Sequence, residues 1–336
     1  MPQQAPAPSH AQVIPHMHTD RSLSPLAWRR DSMSTERWLV PLPDACRAEL
    51  EAVVQQWRKT PQPLEQLTPA AYTLSACIQL MAQVREQLVH HTGMAIIDRI
   101  PVECYSAMEN KAIGWLLASC LGVVMEQKWD GTRLYDVKDS GKALGYGVRR
   151  SVTSLEQDFH TDGGWLRHPP EFVGLFCLQP AHTGGRSRAV SLLTVHDILQ
   201  RQTPDLLQRL YQPFWWDRQA EHAPDDVPYS QHPVYQYDGH TLRARVYDDY
   251  IRHGHRLART VLDEAGQAAL SAMRAVMDAP ENWIELHLEK GQLQYLNNYQ
   301  CAHSRTAFVD AQEPALRRHL LRLWNRTTGA AALEGA

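Results

Sequence analysis

The spacing of apolar residues changes character along the chain. Residues 1–35, beginning "MPQQAPAPSHAQVIPHMHTDRSLSPL", have no apolar period and are rich in Pro, Gln, Ser and His. That composition predicts a disordered N-terminal arm. A helical rhythm follows. "DACRAELEAVVQQWRK" opens on Asp44 as an N-cap and repeats apolar residues every three to four positions. "LSACIQLMAQVREQLVHHTG" does the same and stops at Gly93, and "NKAIGWLLASCLG" stops at Gly122. Between these two helices, "MAIIDRI" is a short apolar strand.

From about residue 145 the runs become short and strand-like: "EFVGLFCL", "HPVYQYDGHTLRARVYDD", "WIELHLEKGQLQYLNN" and "RRHLLRLWNR". Asp238-Gly239 predicts a hairpin, and Glu289-Lys290-Gly291 marks a second turn. Helical inserts interrupt the strands, notably "DEAGQAALSAMRAVMDA" at 263–279. There is no internal repeat and no parallel βαβ alternation. Helices first and antiparallel strands later predict an α+β fold, a sandwich or barrel core flanked by helices. The expected domain spans 36–330, with a helical part at 44–122 and a strand-rich core at about 145–326.

Composition narrows the function classes. Apolar residues make up 43% and charged residues 21% of 336 positions, as in ordinary globular proteins. With 34 basic and 37 acidic residues, the net charge of -3 leaves no basic footprint for nucleic acid. No apolar run approaches the roughly 20 residues of a membrane span, and the N-terminus lacks the pattern of a signal peptide. The six Cys never form C-x-x-C and several sit in apolar runs, so they read as buried thiols of a cytoplasmic protein. These features point to small-molecule chemistry without nucleic acid or membrane, and leave the oligomeric state open.

The candidate chemistry starts at "LEQDFHTDGGW", residues 155–165. A His with an acid two positions on is weak by itself. Among 17 His there are three such pairs, at 18/20, 160/162 and 287/289, against about two expected by chance from this composition. Context separates them. His18 lies in the arm, where no scaffold fixes it, and His287 runs into the 289–291 turn. His160 and Asp162 stand at the end of a strand, so both side chains project to one face. The glycines at 163 and 164 then allow a sharp turn and keep bulk off the mouth of the site. A second imidazole from an inner strand completes a facial triad, and "QYLNNYQCAHSRTAF" offers His303. Two His and one carboxylate with open positions suit non-haem Fe(II) and oxygen chemistry, and zinc can use the same ligands. No H-E-x-x-H or similar hydrolase motif is present. In "RRHLLRLW", Arg318 and Arg322 are four apart on one strand face, a fork for the carboxylate of an electron-donating cosubstrate. The alternative, a solvated basic edge, sits poorly with Leu320, Leu321, Leu323 and Trp324 around them.

With these segments in order, the chain resembles the TauD/TfdA-type (clavaminate-synthase-like) Fe(II)- and 2-oxoglutarate-dependent dioxygenases. The resemblance rests on "FHTDGGW…PPEFVGLFCLQPAHTGGRS", "NNYQCAHSRTAF" and "RRHLLRLW", and covers roughly residues 93–326. It implies a distorted double-stranded β-helix (jelly-roll) core. It implies Fe(II) on His160, Asp162 and His303 as the metal-binding and catalytic centre, with 2-oxoglutarate and O2 as cosubstrates. In the family a Gly-Gly-x-Thr segment places a hydroxyl on 2-oxoglutarate. Here it reads Gly184-Gly185-Arg186-Ser187, so Ser187 takes that place. The family's paired arginines put the cosubstrate clamp at Arg318, with Arg322 assisting it or facing the substrate, and Arg317 competing if the register slips by one. Trp165 and Asn298 are the further candidates for substrate contact.

The implied reaction oxidatively decarboxylates 2-oxoglutarate to succinate and CO2 while removing hydrogen from an unactivated C–H. Hydroxylation, desaturation, epoxidation and ring closure are variants. Asp162 argues against a halogenase, which resembles this motif with Ala or Gly there. The expected substrate is an amino-acid- or dipeptide-derived intermediate of antibiotic-type natural-product biosynthesis. A catabolic enzyme for taurine-like sulfonates or aryloxy acids is the alternative, and a non-catalytic jelly-roll binder of a metal or small acid is the alternative of another class.

Overall fold

The computed structural model describes residues 14–15, 24–143, 145 and 147–333. Three helices come first: α1 (Asp44–Lys59), α2 (Ser75–His90) and α3 (Ala107–Leu121). α1 begins one residue after its N-cap Pro43, so Asp44 is the first helical residue and not the cap. α3 is closed at its start by a capping box between Ser106 and Glu109. Later come α4 (Leu192–Gln202), α5 (Pro204–Leu210), α6 (Asp248–Leu257) and α7 (Glu264–Asp278).

The strands in chain order are β1 (Leu39–Pro41), β2 (Met94–Asp98), β3 (Val123–Val124), β4 (Leu134–Val137), β5 (Gln157–His160), β6 (Phe172–Gln179), β7 (Thr183–Gly184) and β8 (Ser187–Ser191). They continue with β9 (Pro213–Asp217), β10 (Tyr229–Pro233), β11 (Tyr235–Tyr237), β12 (Leu242–Ala244), β13 (Trp283–Leu286), β14 (Leu293–Asn297), β15 (Cys301–Arg305), β16 (Phe308–Val309) and β17 (His319–Arg326). A major sheet runs β1-β2-β14-β6-β17-β3, with β4 also on β17, and a minor sheet runs β13-β8-β15-β5. Apart from the parallel β1–β2 pair, the pairings in both sheets are antiparallel.

Strand alternation explains how the layers meet. On β17, Leu321 and Leu323 join a core with α1–α3, together with Leu50, Val84, Ile113, Phe176 and Tyr295. Leu320 faces the other way, into a core with Ala189, Ile284 and Leu286 of the minor sheet. Arg318, Arg322 and Trp324 share that inward parity. β17 is therefore buried on both faces, which is why apolar residues surround its arginines. This is the jelly-roll core expected above, with helices over its outer face.

Two expectations give way. Residues 1–13 and 16–23 of the expected arm lie outside the described residues, but residues 24–35 are not an arm. Leu26 and Trp28 are buried. The Trp28 indole donates to the Thr92 carbonyl at 2.6 Å. The carbonyls of Leu26 and Trp28 accept from Ser191 and Thr194 at 2.6 and 2.7 Å. Two anchors two residues apart bury a short non-repeating segment without any period that a pattern search detects. Second, the thiols are not uniformly buried: Cys46, Cys77, Cys177 and Cys301 are, whereas Cys104 is exposed and Cys120 half-buried. The Asp238-Gly239 hairpin joins β11 to β12. The 289–291 turn instead carries the chain from β13 in the minor sheet to β14 in the major sheet.

Candidate active site

β5 and β15 lie side by side, and His160 pairs directly with His303 across them. Their rings are 4.2 Å apart between centroids. Asp162 follows two residues after His160, and one ligand atom from each of the three residues lies within 4.8 Å of the others. Thr161 points away: its hydroxyl accepts from the Val246 amide at 2.9 Å. The glycines serve packing here, not an open mouth. A Cβ on Gly163, at φ +64°, would meet Leu166 and Pro170 at 3.0 Å, and one on Gly164 would meet the Trp216 ring at 2.9 Å.

The surroundings of Asp162 fix its carboxylate. Trp324 Nε1 donates to Oδ2 at 2.8 Å, and Arg322 forms an ion pair at 3.2 Å. Burial alone would raise this carboxyl. Arg322 and the two histidines outweigh burial and hold it well below the usual carboxylate range. His160 Nδ1 lies 2.9 Å from the Asp158 carbonyl, which makes Nδ1 the donor and leaves the Nε2 lone pair for a ligand. Gln157 Nε2 stands 2.9 Å from that Nε2. Burial, then the neighbouring His160, pushes His303 down to about 3, so it is a neutral imidazole at physiological pH. Its buried Nδ1 has no hydrogen-bond partner among the described residues. A neutral imidazole at His303 and an ionised carboxylate at Asp162 are the protonation states that metal ligation requires.

The cavity holding these three residues is also lined by Ser187, Arg305, Arg318 and Arg322. Arg318 is 5% exposed and its Nη1 has no partner. Burial lowers it to about 10. Arg317 lies at the surface, its guanidinium on the Gln312 carbonyl at 3.3 Å. The strand register thus puts Arg318 inside and Arg317 outside. Arg322 is buried as well. It bonds Asp162 and the Gln127 side chain, the latter at 2.8 Å.

The remaining candidates separate. Asn298 is committed to the backbone. Its amide nitrogen donates to the Asp162 and Pro170 carbonyls at 2.9 and 3.0 Å, and its oxygen accepts from the Asp162 amide at 2.8 Å. It is 1% exposed and staples the Asp162 backbone. Trp165 stands at the far end of an aromatic row. Tyr247 lies 5.1 Å from the His160 ring, Tyr250 3.8 Å from Tyr247, and Trp165 5.7 Å from Tyr250. Arg149 lies over Trp165 and is ion-paired with Glu221 at 2.7 Å. His287 is exposed, and the adjacent Glu289 pairs with Arg99, while His18 lies outside the described residues.

Trp324, Gln127, Arg305 and Tyr247 were not singled out from sequence. Trp324 is two residues past Arg322 and Arg305 two past His303, so strand alternation could have found both. Gln127 and Tyr247 reach the site from distant segments and carry no local signal.

A family model described as "Taurine catabolism dioxygenase TauD, TfdA family" matches residues 63–324. The chain belongs to this family. It is accordingly a 2-oxoglutarate-dependent non-haem iron dioxygenase that uses Fe(II), 2-oxoglutarate and O2. The dioxygenase is 25% identical over 301 residues to FR-33289 synthase of Streptomyces rubellomurinus (strain ATCC 31215), covering 88% of each chain. It is 24% identical over 314 residues to the taurine hydroxylase-like protein SAT17 of Stachybotrys chartarum (strain CBS 109288 / IBT 7711), covering 89% of this chain and 78% of that protein. Its fold is similar to that of asparagine oxygenase solved with Fe(II), 2S,3S-3-hydroxyasparagine and succinate. The TM-score is 0.64 at 18% identity, covering 86% of this chain and 94% of that one. It is also similar to the non-haem iron oxygenase OrfP solved with Fe and alpha-ketoglutaric acid, at TM-score 0.61, 14% identity and the same two coverages. No helix among the described residues is long and apolar enough to cross a membrane.

Proposed function

We propose that His160, Asp162 and His303 hold the Fe(II), and that Ser187 and Arg318 hold 2-oxoglutarate beside it. The observation that carries this reading is Arg318: a buried guanidinium with a free Nη1, opening into the same cavity as three converging metal-type ligands. A metal site of any kind accounts for the triad, but only a ligand with a distant carboxylate accounts for a cation placed there. The bound iron, with O2 and 2-oxoglutarate, supplies the oxidising power for C–H cleavage. The chain's own residues do the positioning. Asp158 orients His160. Trp324, Arg322 and Asn298 hold Asp162 from three directions. The aromatic row from Tyr247 to Trp165 excludes water on one side.

The substrate we propose is a small amino-acid- or dipeptide-derived natural-product intermediate. Supporting this are an asparagine oxygenase and OrfP, solved with hydroxylated asparagine and arginine, and a relative named as a synthase. Trp165 and Arg322 are the proposed substrate contacts, Arg322 through the Nη2 that it leaves unpartnered. We further propose a single dioxygenase domain over residues 36–330, extended by the packed segment 24–35, acting in the cytoplasm without nucleic acid or membrane.

The test has two parts. Arg318→Gln should raise the KM for 2-oxoglutarate about 100-fold or more. A charge-assisted hydrogen bond is worth roughly 1.5–3 kcal/mol, and stranding the buried carboxylate adds to that. Fe(II) affinity without cosubstrate should barely move. A mass-spectrometric screen of amino acids and cyclic dipeptides should then find a product with one added oxygen or two fewer hydrogens. Unchanged 2-oxoglutarate kinetics in Arg318→Gln would remove the clamp from this reading.

A further inference from the structure

We infer that Arg305 is a second anchor for the distal carboxylate of 2-oxoglutarate, gripping it together with Arg318 beside Phe308. The inference rests on the cosubstrate site proposed above and adds a residue to it.

Arg305 follows His303 by two on β15, so both project to the same face. In the pairing of β15 with β8, Arg305 lies directly opposite Ser187, and such partners have Cβ atoms roughly 5 Å apart. The guanidinium carbon stands 4.8 Å from the Phe308 ring centre, and that of Arg318 stands 5.1 Å from the same centre. Two cations thus stand by one ring, and both line the same cavity as Ser187.

Their own chain does not satisfy them. Neither Arg305 nor Arg318 forms an ion pair with a carboxylate among the described residues. Asp310, the nearest acid to Arg318 by bonding, accepts its backbone amide and not its side chain, at 2.7 Å. Arg305 Nη2 donates to the carbonyls of Thr153 and Leu155, which fixes the fork. Its Nε is buried without a partner, as is Arg318 Nη1. A buried charge is costly unless paired, and two adjacent like charges compound the cost. A purely structural tie would consume Nη2 and need nothing at Nε. One acceptor entering between the guanidiniums gives both free N–H groups a partner and offsets the paired positive charge. A terminal carboxylate has two oxygens for this purpose, and a 2-oxo acid held at the triad presents one at its far end.

The experiment is anaerobic titration of the Fe(II)-loaded protein, followed by its charge-transfer absorbance and by calorimetry. Two probes are compared: 2-oxoglutarate, and 2-oxopentanoate, which has the same chain and no distal carboxylate. Arg305→Met should weaken 2-oxoglutarate about 10- to 100-fold. It should leave 2-oxopentanoate within about twofold and Fe(II) affinity unchanged. Arg305→Lys, which keeps the charge, should recover part of the loss and serves as the readout if Arg305→Met does not fold. Equal weakening of both probes, or lost Fe(II) affinity, would reduce Arg305 to a tie for the 153–155 segment and overturn the inference. So would an unchanged Kd for 2-oxoglutarate. Arg318→Met is run alongside. If it leaves 2-oxoglutarate binding intact, the clamp assignment fails, independently of the Arg305 result.

Discussion

At the scale of single residues, the centre depends on what holds the ligands as much as on the ligands. His160→Ala, Asp162→Ala and His303→Ala should each abolish Fe(II)-dependent turnover, while His287→Ala, at the exposed turn edge, should be silent. Trp324→Phe is the finer test. It keeps most of the buried ring but removes the 2.8 Å bond to Asp162 Oδ2. Losing an outer partner of a metal ligand costs about 10- to 100-fold in metal affinity. An anaerobic Fe(II) titration should show that loss, and an unaltered Kd would mean that Arg322 and Asn298 suffice. The pairing of His160 with Asp162 was legible in the sequence because two-residue spacing on a strand is a local fact, and His303 was found after a β-rich run and through the family resemblance. That Arg318 and Arg322 share one face was legible for the same reason, whereas the choice of Arg318 over Arg317 came from the family's paired arginines. The use of the Asn298 amide on Asp162 and Pro170 had no local signal, because those bonds span more than 120 residues.

At the scale of elements, β17 is pinned at its start by a small charged cluster. Asp136 on β4 meets His319 at 2.7 Å and Lys111 of α3 at 2.8 Å. The His319 hydrogen bond, working against burial and aided by Lys111, lowers the Asp136 carboxyl to about 2. A lowered carboxyl contributes stability above its unfolded value near 4 and loses it as pH falls through the folded value. Asp136→Asn should therefore cost about 1 kcal/mol at pH 7, a figure kept small because the side chain is 33% exposed. The gap to wild type should persist to about pH 4 and close toward pH 2, as read from urea unfolding across that range. The packed N-terminal segment makes a larger claim. Trp28→Ala should destabilise by about 3–5 kcal/mol, since a large ring at 2% exposure is removed with its bond to Thr92. A shift in denaturant midpoint under 1 kcal/mol would show that residues 24–35 only rest on the surface. Helices α1, α2, α3 and α7 were readable from their period and stop signals. The extended anchors Leu26 and Trp28 were not, because burial of an aperiodic segment depends on partners supplied from residues 92, 191 and 194.

At the scale of the whole molecule, the α+β class with a sandwich or barrel core followed from the order of helices and strands and the jelly-roll from the family resemblance, but the routing did not. Nothing in "WIELHLEKGQLQYLNN" distinguishes a hairpin from a step between two sheets. That step is decided by which edge each strand completes: β13 on β8, and β14 between β2 and β6. The same routing places β17, the last strand among the described residues, in the interior of the major sheet, hydrogen-bonded to β6, β4 and β3. That position has a consequence during synthesis on the ribosome. His160 and Asp162 emerge early, yet Arg318, Arg322 and Trp324 arrive only with the final strand. Until then β6 presents an unpaired edge to any other nascent chain, the condition under which long-range β topologies aggregate. Iron capture therefore waits for β17. Ribosome-stalled chains ending before His319 should stay open to protease and bind no Fe(II), whereas chains with residue 326 clear of the exit should become resistant in one step.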